Sequence, residues 1–276
     1  MLAKLHILEL PIAQLTFNQA LSELEALLQG PQAAQVSTVN AEFVLAANSD
    51  LVFRQVLLDA KLLLPDGIGI LWAAKFLSLK HKHWISWFCS QAAILLYPHY
   101  VRTVLPEKIS GSDLFWPLMQ SAARLKKKVF LLGAAPGVGE SLKEIAEVKF
   151  PELQVVGTYA GSPAADEEAK IVNLINQSGA ELLLVAYTFR AQEKWIHRNL
   201  NKLPNLRLAM GLGGTFDFIV GSSAVGRSVK ARRAPTLLRQ LGLESFWRLL
   251  TQPYRLRRVW SAVVKFPLLV YRRRTT

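Results

Sequence analysis

Apolar positions along this chain follow two alternating rhythms. Short apolar runs, many β-branched, occur at 36–39, 61–64, 129–132, 153–158, 181–187 and 206–211. Each has the length of a buried strand. Between them, apolar residues recur three and four apart, the period of a helix with one face in a core. The spacing predicts a helix over 17–28, with Leu21, Leu24, Leu27 and Leu28 on one face and Gly30-Pro31 as its end. Further helices are predicted over 41–60, 114–125, from 141 onward, 164–177 and 189–200. Residues 4–10 alternate and predict an entry strand. From residue 36 to about 220, strands and helices alternate. That order predicts an α/β domain with a mostly parallel, Rossmann-like sheet flanked by helices.

The chemistry of such a sheet lies where strands end. The run at 61–64 stops at Pro65, which has no N–H for a ladder. Asp66 follows, then Gly67 and Gly69, whose lack of a side chain lets backbone and ligand approach closely. An acid in this place is either a general base or the N-cap of the next helix, and on this stretch alone the cap is the commoner role. Thr38 and Asn40 close the run at 36–39, and Asn40 is open to the same two readings, ligand contact or helix cap. Ser110-Gly111-Ser112-Asp113 opens another helix. A glycine-rich turn from Gly133 to Gly139 joins a strand to a helix, the usual seat of a phosphate. It is neither the GxGxxG of dinucleotide folds nor a P-loop, and tight packing alone would also account for it. Gly213-Gly214-Thr215-Phe216-Asp217 is a second such turn.

Two segments leave the α/β pattern. Residues 84–101 contain no Asp, Glu, Lys or Arg, and Lys80, Lys82 and Arg102 flank them. A bilayer span takes ~20 apolar residues. This run is shorter and is interrupted by Ser86, Ser90, Gln91 and Pro98, so it predicts an interfacial or re-entrant helix, with a buried core helix as the ordinary alternative. After Gly221 the chain turns basic, from Arg227, Lys230, Arg232 and Arg233 to Arg272–Arg274, with Trp247, Trp260, Phe266 and Tyr271 interleaved. Two parts are therefore predicted. Residues 1–220 form the core, with an apolar insertion near 78–106, and residues 221–276 form a basic, aromatic appendage whose composition suits nucleic acid and an anionic membrane surface equally.

The net charge of +13 favours anionic partners: nucleic acid, an anionic membrane face or phosphorylated substrates. A single cysteine, Cys89, excludes an internal disulfide framework and a Cys-rich zinc site, and fits a reducing, cytoplasmic setting. The five histidines show no HExxH spacing, and no metal ligands are predicted. Residues 1–14 lack the charged, apolar and small-residue sequence of a secretory leader.

Taken in order, several motifs resemble the WecG/TagA/CpsF family of bacterial glycosyltransferases, glycosyltransferase family 26. They are Thr38-Val-Asn40-Ala-Glu, Leu64-Pro-Asp66-Gly-Ile-Gly, Gly111-Ser-Asp113-Leu, Val129-Phe-Leu-Leu-Gly133, Gln192-Glu-Lys-Trp195-Ile, Gly213-Gly-Thr-Phe-Asp217-Phe, Arg233-Ala-Pro235 and Gly242-Leu-Glu. The resemblance covers about 36–258. It implies inverting, metal-independent transfer of a sugar from a UDP donor to a polyprenyl-diphosphate-linked sugar, by an enzyme peripheral on the inner face of the cytoplasmic membrane. The sugar would be of the N-acetylmannosamine type, glucose or a uronic acid, for a cell-envelope polysaccharide or teichoic acid. It further implies Asp66 as catalytic base and Thr38 and Asn40 in the acceptor pocket. Gly111, Asp113, Gly133, Gln192 and Asp217 would lie at the donor, with Arg232 and Arg233 of a helical, membrane-associating C-terminal appendage reaching the diphosphate. A homo-oligomer is compatible with the sequence.

Three features depart from the family pattern. Tyr187-Thr-Phe-Arg190-Ala191 stands where a Gly and a Pro are usual, and Arg190 there offers an added phosphate contact. The apolar stretch near 78–106 is long, and residues 222–229 lengthen the link before Arg232. Two other readings compete. One is a UDP-sugar-binding partner subunit without turnover. The other is a nucleic-acid-binding protein using the basic tail, which leaves the α/β motifs without a role and is not expected.

Overall fold

The computed structural model of the protein describes residues 2–222 and 260–274. The chain opens with an antiparallel hairpin, β1 (Lys4–Ile7) and β2 (Leu10–Ala13). The single entry strand expected over 4–10 is thus two strands, because Leu8 takes a φ of 55° and reverses the chain. Then come α1 (Phe17–Gln29), held by a Thr16/Gln19 capping box, and β3 (Ala34–Val39). The helix expected over 41–60 is also two, α2 (Ala41–Ser49) and α3 (Leu51–Asp59). Asp50 separates them: its carboxylate accepts the Phe53 N–H at 2.9 Å and caps the second helix.

The chain continues through β4 (Leu62–Pro65), α4 (Ile68–Ser78), α5 (Trp84–Leu96), α6 (Pro98–Val101) and α7 (Gly111–Arg124). It then alternates through β5 (Lys128–Gly133), α8 (Val138–Lys149), β6 (Gln154–Tyr159), α9 (Ala165–Ser178), β7 (Leu182–Ala186), α10 (Phe189–Asn199), β8 (Leu208–Gly211) and α11 (Thr215–Ser222). Helix α8 starts three residues earlier than its apolar spacing suggests, because Gly137 turns at a φ of 85°. Gly139 therefore lies inside α8, where a Cβ would stand 3.2 Å from Thr158, and it is a packing glycine.

Six strands form one parallel sheet in the order β4-β3-β8-β7-β5-β6. Alternate residues face opposite layers. Val36, Leu64, Leu131, Leu184 and Met210 pack on one face with α1, α7, α8 and α11. Leu63, with the hairpin and α2 to α4, and Leu132 and Val185, with α9 and α10, pack on the other. The chain leaves β5 toward β6 but leaves β7 toward β8, so the connections diverge at the carboxyl ends of β5 and β7. They diverge again at β3, which leads outward to β4, and β8, which leads to α11. Divergences of this kind are where open parallel sheets bind ligands.

The described C-terminal segment joins this core. A π-helical turn (Ser261–Lys265) continues into α12 (Phe266–Arg272). Phe266 and Val270 are buried. The Phe266 ring lies edge-on to Trp72 at 6.3 Å, and Trp87 Nε1 donates to the Pro267 carbonyl at 3.1 Å. A Cβ at Gly69 would stand 3.5 Å from Phe266 Cε1, so the notch at Gly69 takes this ring and not a ligand. Among the described residues no helix is long and apolar enough to cross a membrane.

Candidate active site

Three loops meet at the carboxyl ends of β3 and β4. The Asp66 N–H donates to the Val39 carbonyl at 2.8 Å, and the Ile109 N–H donates to the Pro65 carbonyl at 2.6 Å. Gly111, the first residue of α7, closes the third side: a Cβ there would stand 2.9 Å from Leu212 Cδ2 and 3.7 Å from Thr38 Oγ1. A side chain at 111 would have to displace the tip of Leu212, so glycine eases the close start of α7 at the sheet edge. Thr38, Asp66 and Gly111 are thus brought into one rim.

Asp66 stands one residue before the N-cap position of α4. The cap is Gly67, at φ 89° and ψ 153°, with no side-chain capping bond. The chain turns at Gly67, where glycine takes the positive φ at no steric cost. Asp66 is left half-buried at the end of β4. Asn40 takes the ordinary role. Its Oδ1 accepts the N–H groups of Glu42 at 2.9 Å and Phe43 at 3.3 Å and caps α2. Asp113 is likewise engaged in a cap: Ser110 Oγ donates to its Oδ2 at 2.6 Å and accepts its N–H at 3.2 Å.

The other half of the edge carries the glycine turns. Gly133 has a φ of 96°, and a Cβ there would stand 2.7 Å from the Ala186 carbonyl. Gly67, Gly137 and Gly213 all have positive φ, and a Cβ on any of them would meet nothing within 4 Å. These three were selected for backbone conformation, and each stands at a loop on the carboxyl edge of the sheet. The Gly213 turn is pinned from below: its N–H donates to Gln192 Oε1 at 2.9 Å. Asp217 lies exposed on the first turn of α11, while its neighbour Phe216 is buried against Phe115. Arg190 lies with its guanidinium 5.4 Å from the Phe189 ring. Tyr187 packs across Gly133, 3.0 Å from its Cβ position. Arg232 and Arg233 lie outside the described residues.

One feature of the site was missed in reading the sequence. Glu193 is fully buried on α10. Ser37 Oγ donates to its Oε2, as does Gln35 Nε2 at 2.8 Å, and Gln192 Nε2 donates to its Oε1 at 3.2 Å. Burial pushes this carboxyl above its ordinary range, and the three donors only partly oppose that. The network holds Gln192 with its amide toward Glu193 and its carbonyl toward Gly213. Gly211 makes room for it, since a Cβ there would fall on both side chains. The signal was legible in β3. Gln35 and Ser37 alternate with Val36 and Thr38, so two polar residues share the face of a buried strand that turns toward α10. Among the described residues, no three His, Cys, Asp or Glu side chains are grouped so as to hold a metal ion.

The fold and its rim define a doubly wound α/β protein whose polar groups and glycine turns collect outside the carboxyl ends of a parallel sheet. The sequence profile of the glycosyl transferase WecG/TagA/CpsF family matches residues 5–95 and 87–276, and the chain belongs to that family of glycosyltransferases. It is similar to two curated proteins named N-acetylglucosaminyldiphosphoundecaprenol N-acetyl-beta-D-mannosaminyltransferase. One, from Bacillus subtilis (strain 168), is 28% identical over 237 residues, 86% of this chain and 78% of that protein. The other, from Bacillus spizizenii (strain W23), is 29% identical over 259 residues, 91% of this chain and 86% of that protein.

Proposed function

We propose that the protein transfers an N-acetylmannosamine-type sugar from a UDP donor to a sugar carried on a polyprenyl diphosphate, with inversion. The product would serve cell-envelope polymer synthesis at the inner face of the cytoplasmic membrane. The names of the two Bacillus relatives support the acceptor class and the sugar. The observation that carries the chemistry is Asp66: a half-buried carboxylate at the end of a parallel strand, set in the rim with Thr38 and Gly111.

In this reaction the acceptor hydroxyl oxygen attacks the anomeric carbon and its proton passes to the Asp66 carboxylate. The bond from that carbon to the donor diphosphate breaks on the opposite side, and the electron pair leaves on UDP. Thr38 and the Asn40 turn line the acceptor side. The turns at Gly133 and Gly213 border the diphosphate, where backbone N–H groups other than that of Gly213, which Gln192 holds, stabilise developing charge. Gln192 sets the second of these turns, while Gly111, Asp113 and Asp217 border the donor. Arg232 and Arg233 are assigned to the leaving diphosphate by family resemblance alone, and the reaction is assigned no metal on the same ground.

The test is Asp66→Asn, assayed with UDP-N-acetylmannosamine and a short-chain polyprenyl-diphosphate N-acetylglucosamine and read as UDP release. Loss of a general base lowers kcat by about 10²–10⁴, with UDP binding retained. Unchanged turnover would remove Asp66 from the role. UDP binding with no turnover in the unaltered protein would instead favour the partner-subunit reading, which the altered 187–191 segment keeps in play.

A further inference from the structure

Two segments far apart in sequence share one surface and one composition. Residues 78–106 and 260–274 contain no Asp or Glu. They pack on each other through Trp87, which donates to Pro267 and lies 5.9 Å from the Tyr271 ring. Both also pack on α4, through the Trp72 Nε1 bond to Ser90 at 2.9 Å and through Phe266. Helix α4 begins two residues after Asp66, so this surface is built on the same support as the acid.

The outer side of the pair is apolar. Of the fourteen large apolar residues exposed among the described residues, nine lie in these two segments. On α5 they are Trp84, Ile85, Phe88, Leu95 and Leu96, at 51% to 83% exposure. At ~100° per residue these positions share one arc of α5, and Trp87, Ser90 and Ile94 point the other way into the protein. Trp260 and Val263 continue the exposed apolar surface on the C-terminal segment. Lys80, Lys82 and Arg102 flank α5, and Lys265, just before α12, and Arg272, its last residue, lie exposed.

We infer that α5 and the C-terminal segment form one docking face for an anionic bilayer, with α5 lying in the interface as its apolar anchor. Charge selects this occupant. A second copy would set Lys and Arg against Lys and Arg with no acid in either segment to pair them, whereas anionic headgroups complement the cations while the acyl boundary takes the aromatic side chains. Thirteen residues of helix span about 20 Å, short of the ~30 Å hydrocarbon core, and one edge of α5 is held by α4 and α12. The helix therefore lies along the surface and does not enter end-on. The purpose of the face, bringing the enzyme to a lipid-linked acceptor, rests on the proposed function; the docking itself is read without turnover.

Cys89 makes the test direct. It is the one cysteine of the chain and is exposed on the same arc of α5. The full chain labelled at Cys89 with an environment-sensitive fluorophore is mixed with vesicles of phosphatidylglycerol and phosphatidylcholine. The expected result is a blue shift, quenching by lipids spin-labelled near the headgroup, and weaker binding to phosphatidylcholine alone. Pelleting with the vesicles without any change at Cys89 would overturn the role of α5, and so would failure to pellet. A concentration-dependent shift without vesicles would assign the face to self-association and overturn the proposal. Trp84→Asp combined with Phe88→Asp should lower vesicle partitioning tenfold or more, since two aromatic anchors are lost. Turnover on a soluble short-chain acceptor should stay unchanged in this variant. Docking with no transfer in the unaltered protein would break the transferase reading and leave the docking face standing.

Discussion

Helix α10 reads FRAQEKWIHRN and buries Gln192, Glu193 and Asn199, whereas α5 reads WISWFCSQAAILL and exposes Trp84, Phe88 and Leu96. Each helix departs from the usual partition of polar residues outward and apolar residues inward, in opposite directions. The two departures have different costs. A buried carboxylate is tolerable only with donors around it, and α10 obtains them from Gln35 and Ser37 on β3 and from its own Gln192. An exposed aromatic costs little in the folded chain, so α5 needs no compensation in its surroundings. A polar group buried at expense serves the site beside it; apolar groups left outside serve a surface the protein meets.

The largest effect on this contrast should come from Glu193→Ala. It leaves the side chains of Ser37, Gln35 and Gln192 without their acceptor in a dry site, at a cost of about 2–4 kcal/mol in unfolding free energy. Because Gln192 then loses its anchor, the Gly213 turn should loosen and donor KM should rise. Glu193→Gln keeps the shape and tests the charge. The folded-state pKa of Glu193 lies above its unfolded value, so the folded protein binds the extra proton and stability falls as pH rises from the ordinary carboxylate range through the raised pKa. The Gln variant lacks this slope, so its melting temperature relative to the unaltered protein should improve as pH rises through that window. A pH-independent difference would mean that the carboxyl does not titrate there.

Much of this was legible in the residues. Strand and helix periods gave the order of elements, and the parallel sheet followed from their alternation. What was not legible has particular causes. The Asp50 cap is one side-chain hydrogen bond inside a stretch whose apolar period barely changes. Which of two adjacent residues starts α4 depended on which takes a positive φ, and it is Gly67, one residue after Asp66. Gly69 was read for its freedom of approach, but what approaches is Phe266, from a segment about two hundred residues later. The Glu193 network joins two elements 156 residues apart, and only the pairing of β3 with β8 brings them together.

A second, smaller effect should follow from Gly211→Ala. The added methyl falls on the Gln192 amide and the Glu193 carboxyl, so one of them must shift. Overpacking of this kind costs about 1–3 kcal/mol. If the network matters chiefly as a support for the Gly213 turn, the same variant should weaken UDP binding by more than it lowers kcat. Equal loss in both would place the damage in the fold at large.

The smallest expected effect sharpens the contrast most. Replacing Trp84 and Phe88 by serine, one at a time, should move the unfolding free energy by no more than about 0.5 kcal/mol, the range of ordinary surface changes. Trp84 is 67% exposed and Phe88 is 64% exposed, so neither fills space that the fold requires. A loss of about 3–5 kcal/mol, as for truncating a buried aromatic, would mean that α5 packs into the core more deeply than its exposed arc indicates. It would then resemble α10 in spending its unusual residues on the fold. Near-neutral stability, measured by chemical denaturation without lipid, leaves those side chains with no internal partner to explain them, and the reason for two aromatics in water must lie in what the face touches.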